Sequence, residues 1–309
     1  MVLDANIKGD SSNPLNAMSL TVTPLTPTIG AEISGVDLAQ PLSDELVAEI
    51  HGVLMHHLVV FLRDQSLTPA AQAAFSARFG RLRKAQRAAF EVSDGAPEVA
   101  VLINDRERPP NVNHYHSDGI FRQLPEFAAV LYGQEVPSVG GDTIFVNMQA
   151  AYDGLSPELK QYVDNREAIH DFMKLHGSPA KARSWKGENA ARMDRARLQN
   201  PPVTHPMVRV HPVTGKRSLL ISPSFTAYVA GVSATESQGM LETLFQHCAL
   251  PEYQCRFKWT QGALAFWDNR ATMHYALADY WPQTRLMHRV TIETDEIGAP
   301  GVEGLGEVA

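Results

Sequence analysis

The sequence has 309 residues, of which 44% are hydrophobic and 20% charged, and its formal net charge is −7. A chain of this length can bury a sizeable core within one domain. Its acidic balance argues against a general nucleic-acid or membrane-surface binder, since both need a basic surface. The only cysteines, Cys248 and Cys255, are too few for a disulfide framework or a zinc ribbon and fit a reducing cytoplasm. No apolar run is long enough to span a bilayer.

The N-terminal residues are polar and lack periodicity, so residues 1–18 are predicted to form a flexible tail before a single domain over residues 19–309. They also lack the basic segment and following apolar segment of a secretory signal, and Met18 offers an alternative start. The next segments, SLTVTPL and GAEISGVDL, alternate apolar and polar residues as strands do.

Two predicted helices follow, with a short apolar strand over residues 58–64 between them. The first helix covers SDELVAEIHGVLMHH with Ser43 as its N-cap. The second covers TPAAQAAFSARFG, with Thr68 as N-cap, Pro69 in the first turn and Gly80 as its stop.

Strand-like runs dominate the rest of the chain: EVAVLIND, EFAAVLYGQE, GDTIFVNM, PMVRVHP, RSLLIS, ALAFWDN and HRVTIETD. Pro212 and Gly215 predict a hairpin turn in HPVTGKR, and TESQGMLETLFQHC predicts a late helix. The segment over residues 170–202 is polar and poorly periodic. Many short strands with a few helices favour a β-sandwich or jelly roll decorated by helices.

The segment NHYHSDG concentrates candidate metal ligands. In a strand or at its end, His116 and Asp118 project to the same side, which presents an imidazole nitrogen beside a carboxylate oxygen. With a distant histidine, this pair would complete a facial triad for Fe(II). A hydrogen-bonded surface pair is the alternative interpretation of so short a motif. His114 is two residues before His116, so its side chain points to the same side, and it is interpreted as a neighbour of the ligands or of the substrate.

Several longer segments resemble the TauD/TfdA family of Fe(II)/2-oxoglutarate-dependent dioxygenases. They are HSDGIF, EVPSVGGDTIFVNMQAAYDGLS, PPVTHPMVRVHPVTGKRSLLIS, WDNRATMHYALADYWPQTRLMHRVTI and the early GAEISGVDL, and they occur in the family's order. The resemblance implies a mainly β (α+β) fold with flanking helices around a double-stranded β-helix, or jelly-roll, core. It also implies His116, Asp118 and His274 as catalytic iron ligands, with Fe(2+), 2-oxoglutarate and O₂ as cofactor and cosubstrates.

The same resemblance implies the binding site of 2-oxoglutarate. Thr143, in GGDT, matches a hydroxyl contact to the cosubstrate, and Arg285 matches the arginine that binds its distal carboxylate. A guanidinium suits this role because its fork recognises a carboxylate bidentately. The alternative for Arg285 is a surface salt bridge with Asp279.

For the substrate, Arg289 matches the family position that binds an anionic group, and Phe225 matches a phenylalanine of the pocket. Alternatively, Arg289 supports Arg285 or a structural carboxylate. The polar contacts to taurine are replaced by three apolar residues, so taurine is disfavoured and a larger apolar body is expected. These residues are Ala85, Ala88 and Val112. Gly119 and His176 are also assigned to the substrate pocket, the latter within a lid over residues 170–202, for which a plain surface loop is the alternative.

The resulting prediction is a dioxygenase that hydroxylates a C–H bond of a small organic anion and releases succinate and CO₂. The anion is expected to be an alkyl or aryl sulfonate, an alkyl sulfate ester or a hydrophobic carboxylate. Taurine dioxygenase itself, a zinc hydrolase with the same triad and a non-catalytic jelly-roll binding protein are the alternatives. No nucleic-acid or membrane partner is expected, and the resemblance implies a homodimer or homotetramer.

Overall fold

The computed structural model describes residues 20–85, 91–176 and 188–298, so the predicted tail over residues 1–18 and the pocket residue Ala88 lie outside the described residues. The strands are β1 Thr21–Pro24, β2 Ala31–Ser34, β3 Val59–Leu62, β4 Glu91–Val92, β5 Val99–Asn104, β6 Ala128–Glu135, β7 Thr143–Asn147, β8 Glu167–His170, β9 Val203–Pro206, β10 Val208–Val210, β11 Arg217–Leu219, β12 Thr226–Val229, β13 Gln254–Phe257, β14 Leu264–Asp268, β15 Thr272–Ala276 and β16 Arg285–Ile292. The helices are α1 Asp44–His57, α2 Pro69–Ala77, α3 Met148–Asp153, α4 Pro157–Asp164, α5 Phe172–His176, α6 Glu188–Gln199 and α7 Ala234–Cys248. Within these described ranges, no helix is both long and apolar enough to cross a membrane.

Two sheets form the centre of the fold. The larger has eight strands in the order β1-β2-β3-β14-β6-β16-β5-β4, and the smaller has the order β13-β7-β15. Within the large sheet only β2 and β3 pair in parallel, and the small sheet is antiparallel throughout. Long sequence separations between paired strands, such as β3 with β14, are typical of the predicted jelly roll.

The two sheets bury an aromatic core between them. Phe61 of the large sheet stacks on Phe257 of the small sheet, with ring centroids 4.0 Å apart. Phe145 of the small sheet contacts both Phe61 and Trp267, with centroid distances of 5.6 and 5.5 Å. Because alternate residues of a strand point to opposite faces, the neighbours of these residues in the large sheet point outward.

Helices cover the outer faces of both sheets. Against the large sheet, Ile50 and Leu54 of α1 and Phe75 of α2 join the cluster formed by outward-pointing strand residues such as Phe266. Against the small sheet, residues of α3, α4 and α7 pack on Val146 and Met273. The fold is therefore a jelly roll flanked by helices, as predicted.

Local signals in the sequence explain most of these elements. Ser43 and Thr68 each accept a hydrogen bond from the backbone N–H three residues later and so cap α1 and α2 as predicted. The predicted stop at Gly80 is wrong, because α2 ends at Ala77 and Arg78 caps it. The hairpin in HPVTGKR is confirmed: β10 pairs with β11, and Gly215 has φ +70° in the turn.

The segment over residues 170–202 contains more regular structure than its composition indicates. The described parts form α5 and α6, and its first residue ends β8. A third sheet of order β12-β8-β9 supports the start of this segment.

Candidate active site

The two histidines of the predicted triad are brought together by backbone pairing. His116 and His274 of β15 form an isolated antiparallel bridge, with N···O distances of 2.9 and 2.8 Å. Their rings lie 4.1 Å apart, and His116 Nε2 lies 3.9 Å from Asp118 Oδ1. One ligand atom from each of His116, Asp118 and His274 lies within 4.8 Å of the others. Residues 158 positions apart thus converge on one point, which a surface hydrogen-bonded pair would not require.

The protonation states of the three side chains suit metal binding. His116 Nδ1 lies 2.9 Å from the carbonyl oxygen of His114; this oxygen only accepts, so Nδ1–H donates and Nε2 is the ring nitrogen left to bind a metal. Burial, followed by the neighbouring His116, lowers the pKa of His274 to about 3 and keeps its imidazole neutral. Burial alone would raise the pKa of Asp118, but Arg289 and the two histidines outweigh it and lower this pKa.

Two neutral imidazoles and one carboxylate form the donor set of a 2-His-1-carboxylate site, which binds Fe(II) and leaves coordination positions open. The ring nitrogen Nδ1 of His274 is buried and has no hydrogen-bond partner among the described residues. The residues present therefore fit the iron that the sequence predicts.

Arg285 begins β16 and is only 7% exposed. Within the described residues its Nε and Nη2 atoms are buried without a hydrogen-bond partner. The guanidinium carbon lies 5.8 Å from the ring centre of Trp259 and 5.9 Å from that of Tyr280. The alternative of a salt bridge to Asp279 is not found, since Asp279 accepts from the Gly141 N–H and lies near Arg256. A buried cation with unused donors fits a carboxylate ligand.

Trp259 connects the two residues predicted to bind 2-oxoglutarate. Its Nε1–H donates to Thr143 Oγ1 at 3.0 Å, while its ring flanks Arg285. Because the hydroxyl oxygen accepts this bond, the Thr143 proton is available to donate to a ligand. Sequence reasoning missed Trp259, although the alternation Cys255, Phe257, Trp259 from a strand facing the core would have indicated it.

Arg289 shares the inward face of β16 with Arg285 and the buried Met287. Its Nη1 atom lies 3.5 Å from Asp118 Oδ1, and its side chain is 21% exposed. It is therefore beside the triad and more accessible than Arg285.

Gly119 has a steric role in the turn after Asp118. Its φ is +63°, and a Cβ atom at this position would lie 1.3 Å from Glu126 Oε2. Glu126 is buried and accepts from Arg83 at 2.7 Å, with Arg122 at 3.1 Å. Only glycine fits this backbone geometry without displacing the carboxylate.

An aromatic wall follows the turn. Phe121 lies 4.7 Å from Phe225 and 5.1 Å from Phe172 of α5. His176 stacks on Phe172 at 4.3 Å and lies 6.4 Å from Phe225. Phe225 and His176, which are far apart in sequence, are thus brought together as the predicted pocket assignment requires.

The remaining described pocket residues, Val112 and Ala85, lie in irregular segments. Val112 is 38% exposed, and its carbonyl accepts from the His114 N–H. Ala85 donates its N–H to the Pro97 carbonyl at 2.8 Å. Their contact with a substrate stays a prediction.

Comparison with known proteins identifies the family. Residues 21–291 match the model of the taurine catabolism dioxygenase TauD, TfdA family. An alkylsulfatase of Acinetobacter baylyi is 34% identical over 94% of this chain and 90% of its own. The (S)-phenoxypropionate/alpha-ketoglutarate-dioxygenase of Sphingobium herbicidovorans is 32% identical over 89% of this chain and 95% of its own. The crystal structure of a taurine dioxygenase from Burkholderia xenovorans has a TM-score of 0.76 and 37% identity, covering 90% of both chains. The chain belongs to the TauD/TfdA family of Fe(II)/2-oxoglutarate-dependent dioxygenases.

Proposed function

We propose that this dioxygenase hydroxylates a C–H bond of a small organic anion with an apolar body, with conversion of 2-oxoglutarate to succinate and CO₂. The anion is an alkyl or aryl sulfonate, an alkyl sulfate ester or a hydrophobic carboxylate. The family assignment supports the reaction, and the names of the relatives include both a sulfatase and a phenoxypropionate dioxygenase.

The observation that carries the proposal is the position of Arg289. This guanidinium lies 3.5 Å from Asp118 and faces the same side of β16 as the buried Arg285. The distal carboxylate of 2-oxoglutarate needs one arginine, and this face of β16 carries two. Once Asp118 is an iron ligand, the metal shares its charge, and Arg289 retains the capacity to bind a second anion.

The aromatic wall supports an apolar body. Phe121 lies three residues after Asp118, and its ring contacts Phe225 and Phe172. We infer that this wall lines the substrate pocket. A small zwitterion such as taurine would leave these rings uncovered, whereas an alkyl chain or an aryl ring would bury apolar surface on them. We retain Gly119, Val112 and His176 as further pocket residues, and residues 170–202 as a lid.

The residues of this chain have separate roles. His116, Asp118 and His274 hold Fe(II), which supplies the activation of O₂ for hydroxylation. Arg285 binds the distal carboxylate of 2-oxoglutarate, and the Thr143 hydroxyl adds a hydrogen bond that fixes the orientation of the cosubstrate. The zinc-hydrolase alternative does not account for Arg285, because hydrolysis requires no such cosubstrate site.

Succinate release with a panel of substrates tests the proposal. The panel contains taurine, hexanesulfonate, hexyl sulfate, a phenoxyacetate and the matching neutral alcohols. We expect the larger anions to support turnover and the alcohols not to, because an uncharged analogue forms no charge-assisted hydrogen bond with Arg289. Preference for taurine would refute the apolar pocket. Equal activity with the alcohols, unchanged in Arg289→Ala, would refute the anion site.

The triad itself is tested by three single substitutions. His116→Ala, Asp118→Ala and His274→Ala should each abolish substrate-dependent succinate formation, because a facial triad with a missing ligand does not hold iron productively. Circular dichroism should show the wild-type fold in each variant. His247→Ala, on the remote helix α7, is the matched control and should remain active. Full activity in any triad variant without an added ligand would contradict the assignment.

We also retain a cytoplasmic location and a homo-oligomer as proposals. Cys248 and Cys255 are buried free thiols whose pKa burial raises to about 12, which fits a reducing compartment. Light scattering of the purified protein would measure the oligomeric state.

A further inference from the structure

Ser224 lies in the loop between β11 and β12, immediately before the pocket residue Phe225, and is 4% exposed. Its hydroxyl has two partners on the segment that carries the first iron ligand. Ser224 Oγ lies 2.7 Å from the carbonyl oxygen of Tyr115 and 2.9 Å from His114 Nδ1. Sequence reasoning gave no role to Ser224.

The direction of these two hydrogen bonds follows from the chemistry of the atoms. The Tyr115 carbonyl only accepts, so the Ser224 hydroxyl donates its single proton there. The hydroxyl oxygen must then accept from His114, which places the proton of that ring on Nδ1. Ser224 thus fixes both the orientation and the tautomer of His114.

His114 in turn contacts the iron ligand through its backbone. Its carbonyl oxygen accepts the Nδ1–H of His116 at 2.9 Å, the bond that leaves His116 Nε2 directed toward Asp118. The rings of His114 and His116 are 5.3 Å apart. On its other side, His116 is held by the backbone bridge to His274.

We propose that Ser224 and His114 form a positioning pair that sets the orientation of the iron ligand His116. The bridge to β15 fixes the backbone of His116 but not the rotation of its ring. That rotation depends on the carbonyl of residue 114, and Ser224 restrains residues 114 and 115 by one bond to each. Outer partners of metal-binding histidines commonly have such a role. The proposal rests on His116 being an iron ligand.

The test measures metal binding rather than turnover. Co(II) is titrated into the metal-free protein, and the dissociation constant and the d–d absorption spectrum are recorded. Ser224→Ala should weaken Co(II) binding about tenfold, the lower end of the range for outer partners, and change the spectrum. Ser224→Thr keeps the hydroxyl and should retain the wild-type values.

Ser222→Ala is the matched control. Ser222 lies in the same loop and is fully buried, but its hydroxyl has no hydrogen-bond partner among the described residues. This substitution should leave both Co(II) affinity and spectrum unchanged. Thermal unfolding of the metal-free variants separates a loss of fold from a loss of positioning.

Two substitutions of His114 test the same bond from the other side. His114→Asn places an amide N–H near the position of Nδ1 and should preserve the bond to Ser224 and the Co(II) affinity. His114→Gln places its amide near Nε2 and should weaken Co(II) binding as Ser224→Ala does. These variants decide the question if Ser224→Ala does not fold.

Wild-type Co(II) affinity and spectrum in Ser224→Ala would overturn the proposal. Equal losses of Co(II) affinity in Ser224→Ala and Ser222→Ala would also overturn it. So would equal losses in His114→Asn and His114→Gln. His116→Ala distinguishes this failure from failure of the triad. If His116→Ala does not weaken Co(II) binding, the ligand assignment is wrong. If only His116→Ala weakens it, the triad stands and the positioning pair is refuted.

Discussion

Arg285 shows how a single residue indicates a ligand. Burial lowers the pKa of its guanidinium, and within the described residues no carboxylate lies within ion-pair distance of it. A buried cation without a partner is costly to the folded protein. A bound cosubstrate would remove this cost, because its distal carboxylate would pair with Arg285.

Replacing Arg285 should therefore affect 2-oxoglutarate more than any other substrate. Arg285→Gln is expected to raise the apparent KM for 2-oxoglutarate by the equivalent of about 2–5 kcal/mol, the cost of removing one partner of a desolvated charge pair. Thr143→Val should cost less, about 0.5–1.5 kcal/mol for a neutral hydrogen bond. Initial rates of succinate formation measure both effects.

The control is Arg256→Gln on the adjacent strand β13. Arg256 is more than half exposed and binds Asp142, so its loss should leave the KM for 2-oxoglutarate close to wild type. A larger effect for Thr143→Val than for Arg285→Gln would mean that the cosubstrate carboxylate is assigned to the wrong residue.

At the scale of single residues, the spacing of side chains along the strands predicts much of the site. A spacing of two residues places His116 and Asp118 on the same side of the chain, as the structure has them. A spacing of four places Arg285 and Arg289 on the same face of β16. The residues that support them were not predictable in this way. Ser224 contacts the triad segment from about a hundred residues away in the chain, and no local sequence pattern indicates this contact.

Among the elements, β8 carries a buried histidine that makes stability depend on pH. His170 is fully buried, and Thr226 Oγ1 lies 3.1 Å from its Nδ1. Burial, followed by the charges of His205 and Lys174, lowers its pKa to about 3. The ring is thus neutral in the folded protein, while in the unfolded chain it binds a proton below a pKa of 6.5.

Because the unfolded state binds the extra proton, His170 destabilises the fold as the pH falls from 6.5 toward 3. The loss is up to about 1.4 kcal/mol per pH unit for one such group. His170→Gln should therefore show a weaker decline in the free energy of unfolding between about pH 6.5 and about pH 5. Urea unfolding at several pH values measures it.

An unchanged slope in His170→Gln would mean that His170 is protonated in the folded protein, contrary to its environment.

Elements were predicted where burial follows a clear period and missed where it does not. Most strands of the large sheet, and β7 of the small sheet, are apolar runs, so the sequence predicts them; β13 and β15 mix polar and apolar residues and are missed. In contrast, β8, β9 and β12 have four residues each, and α6 is polar and charged around most of its surface. Their structure depends on tertiary packing more than on a periodic apolar face.

At the scale of the whole molecule, a buried ionic network joins remote segments. Arg270, after β14, donates to Asp268 at 2.6 Å and to Asp295, near the end of β16, at 2.9 Å. His211 of the β10–β11 turn contacts Asp268 at 2.9 Å, and His51 of α1 contacts Asp295 at 3.0 Å. Burial alone would raise the pKa of Asp268, but Arg270 and His211 outweigh it and lower this pKa.

Removal of the central cation should destabilise the whole fold. Arg270→Met leaves two buried carboxylates without their shared cation and is expected to cost about 3–5 kcal/mol. Arg63→Met, which breaks a half-exposed pair with Glu32, should cost no more than about 1 kcal/mol. Urea unfolding midpoints give both values. Equal costs would show that the buried network contributes no more than a surface ion pair.

The order of motifs along the chain made the jelly roll predictable, because the same segments that carry the site also carry the central strands. The buried network was not predictable. His51 and His211 have no distinguishing pattern in the sequence, and their partners lie 244 and 57 positions away in the chain.

The central claim is that an Fe(II)–2-oxoglutarate centre lies beside a site for an anion with an apolar body. Anaerobic addition of Fe(II) and 2-oxoglutarate, monitored through the metal-to-ligand charge-transfer band, tests it most directly. We predict that the band forms in the wild type and is perturbed by hexyl sulfate but not by hexanol. Arg289→Ala should keep the band and lose its response to the sulfate ester. Absence of the band, or an equal response to hexanol, would contradict the account.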